Sequence, residues 1–195
     1  YLGSFSWNRA HFGAWVIISA PLVLGLDLLD SDLVDRVWSI ITNREAIQVN
    51  QRWAGHPGRL VRSWTPAGAR KSNDWPNTPN GGVKYEAPLD AMQIWAKPQP
   101  EGAVAVFVVN ADASSSSLDF AISLSELGIQ PGITRVMVRD IWNQRDLDIA
   151  TDELTGRVQA RDSVFFLLTP IPPPPPPPPP TLPPSPLPPM PPPPP

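Results

Sequence analysis

The sequence has 195 residues with a net charge of −3, no cysteine and 29 prolines, most of which lie after residue 169. A mildly acidic chain without a run of Lys or Arg gives no reason to expect nucleic acid as a partner, and the lack of cysteine excludes disulfides, thiol nucleophiles and cysteine-ligated metals. The longest apolar run, Trp15–Leu29, is interrupted by Ser19, Pro21, Gly25 and Asp27, so it is no membrane span.

The first predicted element is a helix for which Ser6 is a suitable N-cap. Large side chains then follow at intervals of three or four residues, at Trp7, His11, Trp15 and Ile18. This spacing predicts a helix with one large, mostly apolar face. Pro21 ends it.

A buried strand and a second helix are predicted next. Residues 22–26 belong to the continuous apolar run PLVLGLDL, which is typical of a strand buried on both faces in a parallel sheet. Ser31 can cap a helix over residues 31–43, with its apolar stripe at Val34, Val37, Trp38 and Ile41. Helix, strand and helix in this order are typical of an α/β barrel or a doubly wound sheet. One strand cannot form either, so we expect residues 1–50 to be poorly stable without neighbouring strands.

From Gly58 onward the pattern changes to many short runs rich in β-branched and aromatic residues. They are GRLVRSW, VKYE, AMQIWAK, AVAVFVVN, SLDFAI, TRVMVRDIW, GRVQA and SVFFLL, and turn residues separate them. This arrangement predicts an antiparallel β-sandwich. SLSELGI is interpreted as one helical turn within a connection, and residues 65–82 as a long polar loop.

The stretch NREAIQVNQRWAGHPGRLV, residues 43–61, combines Asn, Gln, Arg, His and Trp with Gly and Pro, as the lining of a sugar-binding cleft often does. Its position favours another interpretation. Asn43 ends the second predicted helix, Ala46–Gln51 lead away from it, and Gly55–Gly58 turn the chain into the first strand of the sandwich. We therefore predict a domain junction whose polar side chains satisfy backbone groups.

Of the last 25 residues, 171–195, 19 are proline, and no side chain among them is charged. Proline lacks a backbone N–H and fixes φ, so this tail is predicted to be an extended polyproline II rod. It could bind an aromatic-lined groove of the SH3, WW or profilin kind, or serve as a rigid spacer or a cell-wall-associated segment. SPLPP resembles the Ser-Pro repeats of hydroxyproline-rich extracellular glycoproteins.

Several stretches together resemble a known family. AHFGAWVIISAPLVLGLDL, ITNREAIQVNQ, MQIWAKPQPEGAVAVFVVNAD, VMVRDIWNQRDL and SVFFLLTP are similar, in this order, to the C-terminal part of glycoside hydrolase family 27, the α-galactosidases or melibiases. The resemblance spans nearly all of residues 1–170. Many members have Asp after the Asn-Gln pair, where this chain has Arg52, and the WAGHPG stretch and the 65–82 loop also depart from the family pattern.

The resemblance implies a (β/α)8 TIM barrel followed by an antiparallel β-sandwich. Residues 22–26 then correspond to the eighth barrel strand and residues 31–43 to the eighth helix. The expected domains are the incomplete barrel end at 1–52, the sandwich at 53–170 and the proline tail at 171–195.

The resemblance also implies an activity, the retaining hydrolysis of terminal α-linked galactose by two aspartates whose carboxyl groups lie roughly 5 Å apart. In the family both aspartates lie on barrel strands four and six, which precede the matching part. We therefore expect the nucleophile and the acid/base to lie upstream of Tyr1, no catalytic residue, metal or cofactor site in this chain, and no turnover by this chain alone. The α-galactoside is the expected substrate of the full-length protein, which is expected to be extracellular, vacuolar or lysosomal.

Three aspartates are the candidates for chemistry. Asp27 stands at the C-terminal end of the predicted barrel strand, the face that carries the active site in such barrels. It could lie beside the sugar site, but we expect it mainly to order its own loop. Asp30 and Asp32 could be seen as a carboxylate pair, although both also suit the N-terminus of the following helix.

Two histidines and one tryptophan are the other candidates. His11 shares the helix face of Trp7 and Trp15, so a partnered interface histidine is expected. His56 lies in a Gly-His-Pro-Gly turn without a second histidine close in sequence, so a metal site is not expected. Trp53 could stack on a sugar, but packing between layers is the expected role.

An alternative from another functional class stays open. The chain could be a non-catalytic, carbohydrate- or wall-associated β-sandwich protein with a proline-rich tether. The chain begins with Tyr1 and shows no signal-peptide pattern, which we interpret as upstream sequence that is missing or has been removed. Barrel strands with a Lys-x-Asp-type nucleophile motif upstream would favour the hydrolase, and a start codon just before Tyr1 would favour the alternative.

Overall fold

The computed structural model describes residues 3–69, 90–112 and 117–173. The predicted VKYE strand, most of the predicted 65–82 loop and nearly all of the proline tail lie outside the described residues. Within the described part there are three α-helices, one short 3-10 helix (Pro100–Gly102) and nine strands.

Three helices open the chain: α1 (Phe5–Ile17), α2 (Ser31–Ile41) and α3 (Arg44–Gln51). A side-chain oxygen of the preceding residue accepts a backbone N–H at the start of each one, which satisfies an otherwise unpaired donor. The caps are Ser4 for α1, Asp30 for α2 and Asn43 for α3. Ser6 and Ser31 were therefore the wrong caps, and each lies inside its helix.

Helix α3 corrects a second expectation, because Ala46–Gln51 were predicted only as a connection. Asn43 does not simply end α2. Its Oδ1 accepts the Ala46 N–H at 3.0 Å and starts a new helix. The carbonyl of Ile40 accepts the Asn43 N–H at 3.2 Å, so the two helices share this residue.

Residues 22–26 do not form the predicted strand. They run without strand assignment between α1 and α2, and the Val23 side chain is 81% exposed. A strand requires a partner for its ladder of hydrogen bonds. None of the described strands pairs with this segment, so it lacks the ladder that its apolar pattern presupposes.

The remainder is antiparallel β-structure, and the predicted sandwich strands are largely confirmed. The strands are β1 (Arg59–Trp64), β2 (Met92–Pro98), β3 (Val104–Asn110), β4 (Leu118–Ser123), β5 (Arg135–Asp140), β6 (Arg145–Asp146), β7 (Ala150–Thr151), β8 (Glu153–Val158) and β9 (Asp162–Pro170). GRVQA only partly overlaps β8. SLSELGI forms turns with one helical bond, from the Leu127 N–H to the Ser123 carbonyl at 3.3 Å, but no helix.

The strands form two sheets. The larger has the order β1-β2-β3-β9-β5-β6, with β7 also paired to β5, and the smaller consists of β4 and β8. A fully antiparallel arrangement in two layers is that of a sandwich.

The large sheet has a hydrophobic core on each face. Alternate side chains of β3 divide between them: Val106 and Val108 face the sandwich core, whereas Ala105 and Phe107 face α1 and α3. Strand β3 is therefore buried on both sides, which explains its unbroken apolar sequence. The second core joins the helices to the sheet.

The buried face of α1 is not the predicted one. Gly13, Val16 and Ile17 are buried against the sheet, whereas Trp15 and Ile18 are exposed. On α2, Val37 is buried as predicted, but Trp38 is 57% exposed. Helices α1 and α2 thus each carry large apolar side chains that the described residues leave partly exposed.

The C-terminus of α1 carries local strain at Ser19, which has φ +59°. Its N–H bonds the Val16 carbonyl at 3.1 Å, and the Ala20 N–H bonds the Trp15 carbonyl at 3.0 Å, which together form a Schellman motif. The residue in this left-handed position is usually glycine. The Ser19 Oγ is also buried without a hydrogen-bond partner among the described residues.

Replacing Ser19 with Gly should therefore stabilise the chain by about 1 kcal/mol, because left-handed strain at a non-glycine residue is relieved. Urea unfolding followed by tryptophan fluorescence measures the change. The matched control is Ser39→Gly, on the exposed side of α2, which should destabilise by about 0.5 kcal/mol because glycine is a poor helix former. Destabilisation by Ser19→Gly would contradict the interpretation.

Candidate functional site

The three aspartates each lie near the start of α2, and two of them bond the backbone. The Asp27 Oδ1 accepts the Leu29 N–H at 2.9 Å, and the Asp30 Oδ1 accepts the Leu33 N–H at 3.0 Å. Asp32 lies in the first turn of α2, where a carboxylate favours the helix dipole. All three residues are exposed. Their recorded bonds are those of a loop and a helix start.

His11 and Trp15 form a pair on the uncovered face of α1. The Trp15 Nε1–H donates to the His11 Nε2 at 3.0 Å, and the rings meet edge to face with centroids 5.9 Å apart. Partial desolvation by the surrounding side chains lowers the pKa of His11. A neutral imidazole provides the acceptor that this bond requires.

The other two candidates lie in the loop that leads to β1. Trp53 is exposed. His56 lies in an exposed turn with its Nδ1 2.6 Å from the carbonyl oxygen of Pro57. Across residues 3–69, 90–112 and 117–173, no three His, Cys, Asp or Glu side chains are grouped so that they could hold a metal ion.

An apolar cleft of about 310 Å³ lies between α1, residues 22–26 and α2. Its walls are mostly aliphatic and aromatic, with Asn8 and His11 as the polar members, and none of the three aspartates lines it. Such a surface accepts apolar side chains but offers no carboxylate for acid–base chemistry.

The opposite side of the helices is tied to the sandwich by directional bonds. Asn43, besides capping α3, donates its Nδ2–H to the Ile141 carbonyl at 2.8 Å. Arg139 donates to both carboxylate oxygens of Glu45, at 2.7 and 3.1 Å, and Arg9 does the same to Asp162, at 2.5 and 3.1 Å. Two-point arginine–carboxylate pairs fix orientation as well as distance.

A fully buried lysine forms another tie. Lys97 on β2 is 0% exposed, and its Nζ donates to the carbonyls of Val49 and, at 2.9 Å, Asn50. These carbonyls belong to the last turn of α3, the negative end of its dipole. Burial lowers the pKa of Lys97. The ammonium group thus compensates unpaired carbonyls that would otherwise be buried.

Two glycines allow the helices to approach the sheet closely. A Cβ on Gly13 would lie 2.3 Å from the Phe107 Cε2, and a Cβ on Gly58 would lie 2.2 Å from the carbonyl oxygen of Ile17. The Gly58 N–H donates to that same oxygen at 2.8 Å. A side chain at either position would force its neighbours to shift.

The polar side chains of residues 43–61 therefore mostly form hydrogen bonds to backbone groups. Asn43 and Asn50 are the main examples. Nothing in the structure explains Arg52. The sequence interpretation missed Lys97, although the two-residue period of β2 places it on the helix-facing side with Trp95, where a charged group is unusual.

Comparison with known proteins shows which proteins this chain is similar to. Residues 90–168 match the family described as the alpha galactosidase C-terminal beta sandwich domain. The resemblance inferred from the sequence is thereby confirmed for the C-terminal portion of the α-galactosidases.

The relatives extend the match beyond the sandwich. An alpha-galactosidase of Cyamopsis tetragonoloba is 30% identical over 162 residues, and a probable alpha-galactosidase of Dictyostelium discoideum is 29% identical over 163; each match covers 83% of this chain. These matches cover 32% and 35% of the two relatives, so the chain spans about a third of their length.

A solved structure shows the same fold. Alpha-galactosidase I from Mortierella vinacea superposes with a TM-score of 0.64 at 19% identity, covering 85% of this chain and 36% of the other. The similarity in fold thus extends over more of the chain than the 90–168 match.

Proposed function

We propose that this chain is the C-terminal portion of an α-galactosidase-type glycoside hydrolase that acts on terminal α-galactosides. Residues 1–52 close its (β/α)8 barrel, with 22–26 as the eighth strand, and residues 53–170 form the sandwich that supports them. Support comes from relatives that align with 83% of the chain, well beyond the sandwich itself.

The observation that carries this proposal is the uncovered apolar side of the helical segment. Large apolar side chains of this segment are exposed, including Val23 at 81% and Leu29 at 94%. Contiguous exposed apolar surface marks an interaction site. Further barrel strands, one on each side of residues 22–26, would cover it and complete the missing hydrogen-bond ladder.

Catalysis in this proposal depends on residues outside the chain. A retaining mechanism needs two carboxylates roughly 5 Å apart, one as nucleophile and one as acid/base. We assign both to upstream barrel strands. Asp27, at the end of the proposed eighth strand, is assigned a place beside the sugar site without a direct part in the chemistry.

Localisation and the tail complete the proposal. We assign the full-length protein to the extracellular space, vacuole or lysosome, and residues 171–195 to a proline-recognising or cell-wall partner. None of the helices in the described part of the chain is long and apolar enough to cross a membrane. A wall-associated sandwich without a barrel is less well supported, because the 162 aligned residues are more than the proposed sandwich, residues 53–170, contains.

The test is a chimaera in which this chain replaces the aligned C-terminal third of the Cyamopsis tetragonoloba enzyme. We expect the chimaera to hydrolyse p-nitrophenyl α-D-galactopyranoside and this chain alone to give no turnover above a heat-inactivated control. In the chimaera, Asp27→Asn should lower kcat/KM, whereas Asp148→Asn, on the sandwich, should not. A folded but inactive chimaera, or turnover by the chain alone, would contradict the proposal.

A further inference from the structure

We propose that Lys97 and Asn50 are positioning residues. Through their hydrogen bonds, strand β2 fixes the place of the backbone at Ala20, where segment 21–27 begins. We call this series of contacts the relay, and it is a property of this chain. That the positioned segment is a barrel strand rests on the proposed function. The inference is built from three consecutive contacts.

The first contact joins the sandwich to α3. Lys97 lies in the middle of the helix-facing core, directly paired with Ala105 of β3, so its backbone is held on the sheet. Its Nζ reaches the carbonyls of Val49 and Asn50. Gln99 adds a weaker bond of 3.4 Å to the Val49 carbonyl. Strand β2 therefore sets the position of the last turn of α3.

The second contact joins α3 to the end of α1. The backbone carbonyl of Asn50 accepts from Lys97, while its side-chain Nδ2 donates to the Ala20 carbonyl at 2.9 Å. The same Nδ2 is 3.4 Å from the Trp15 carbonyl oxygen and 3.5 Å from that of Val16. One residue thus binds the sandwich with its backbone and α1 with its side chain.

The third step follows from what comes after Ala20. Pro21 has a fixed φ and no N–H, so the direction of the chain is set where it leaves Ala20. Residues 22–26 have no ladder partner among the described strands. Their position in this chain therefore depends on the Ala20 contact, the Asp27 turn and the packing of Leu22 against the helix-facing core.

Among the residues that the structure describes, no acidic side chain pairs with Lys97. Desolvation is the cause of its lowered pKa, and its recorded bonds go to carbonyls. The charged groups on α3 and β1 bond elsewhere or are exposed. Glu45 bonds Arg139, Arg62 bonds Glu126, and Arg44 and Arg59 are exposed. Within the described part of the chain, the ammonium group of Lys97 thus bonds only the carbonyls at the end of α3, as a positioning role requires.

The test measures amide hydrogen exchange in the full chain with the variants Lys97→Met, Asn50→Ala and the double variant. We expect the amides bonded at the end of α1, those of Ser19 and Ala20, to exchange about tenfold faster in each single variant, because one hydrogen-bonded link is lost. Amides of β3 and β9 should change little. The double variant should equal the larger single effect, since both variants break one relay.

Arg59→Met and Gln48→Ala are matched controls, since both side chains are exposed beside the relay. Neither should change the Ser19 or Ala20 exchange. Equal acceleration in β3 and β9 would show a general loss of stability, and multiplied effects in the double variant would show independent contacts. Either result, or no change at all, would overturn the relay. Because no enzyme activity is measured, this failure is distinct from failure of the chimaera.

Discussion

Replacing Phe107 with Ala should lower the free energy of unfolding by about 3–5 kcal/mol, the usual cost of removing a buried aromatic ring. Phe107 is 1% exposed and lies on the helix-facing side of β3. Its ring meets Phe165 edge to face with centroids 5.5 Å apart. The ring therefore joins the sheet to α1, and its loss weakens the contact between the two layers as well as the core.

Urea unfolding followed by both circular dichroism and tryptophan fluorescence measures this effect. Met137→Ala is the control, because Met137 is an exposed apolar residue on strand β5 of the same sheet. Its substitution should stay within about 0.5 kcal/mol of the original stability. A loss below 1 kcal/mol for Phe107→Ala would show that the second core contributes little.

Gly13→Ala should destabilise the chain by about 1–3 kcal/mol, the usual cost of overpacking a core. Alanine is the better helix former by about 1 kcal/mol, so propensity alone predicts the opposite sign. The added Cβ would lie 2.3 Å from Phe107 and 2.9 Å from the Trp142 ring. These rings are held by Phe165, whose centroid is 5.3 Å from that of Trp142, and cannot yield freely.

Two comparisons isolate the steric cause. Gly25→Ala adds a Cβ that has no heavy atom within 4 Å, so its effect should stay within about 0.5 kcal/mol. In the Phe107→Ala background, Gly13→Ala should cost much less, because its nearest obstacle is gone. An equal cost in both backgrounds would mean that the destabilisation does not come from this contact.

The sandwich was largely predictable from the sequence because its strands carry their own signals. Alternation in β4 and β5, the apolar run of β3 and the Gly- and Pro-rich turns all act over a few residues. Helix α3 is amphipathic but only eight residues long, and it was missed because so short a segment was interpreted as a connection. Its start depends on the Asn43 cap, which also suits the end of α2.

The junction was not predictable in detail because its contacts join residues far apart in the chain. Glu45 and Arg139 are 94 residues apart, and Arg9 and Asp162 are 153 apart. The periodicity of α1 showed one apolar face. In the structure α1 has two apolar faces, one against the sheet and one against the cleft with α2 and residues 22–26. Side-chain spacing cannot say which of them meets the sheet.

The strand predicted at 22–26 shows a different limit. Its sequence has the composition of a strand buried on both faces, yet the ladder that makes a strand comes from neighbours. The sequence pattern is thus that of a strand with neighbours on both sides, and the described part of the chain does not contain these neighbours. The same holds for the exposed Trp15 and Trp38 on the uncovered helix faces.

The central claim is that the helical segment has one side packed on the sandwich and one side with exposed apolar side chains. Amide hydrogen exchange along the unmodified chain tests it most directly. Amides of α1 and α3 should exchange nearly as slowly as those of β3 and β9, and amides of residues 21–41 should exchange much faster. Equally slow exchange in residues 21–41, or fast exchange in α1 beside a protected sheet, would contradict the claim.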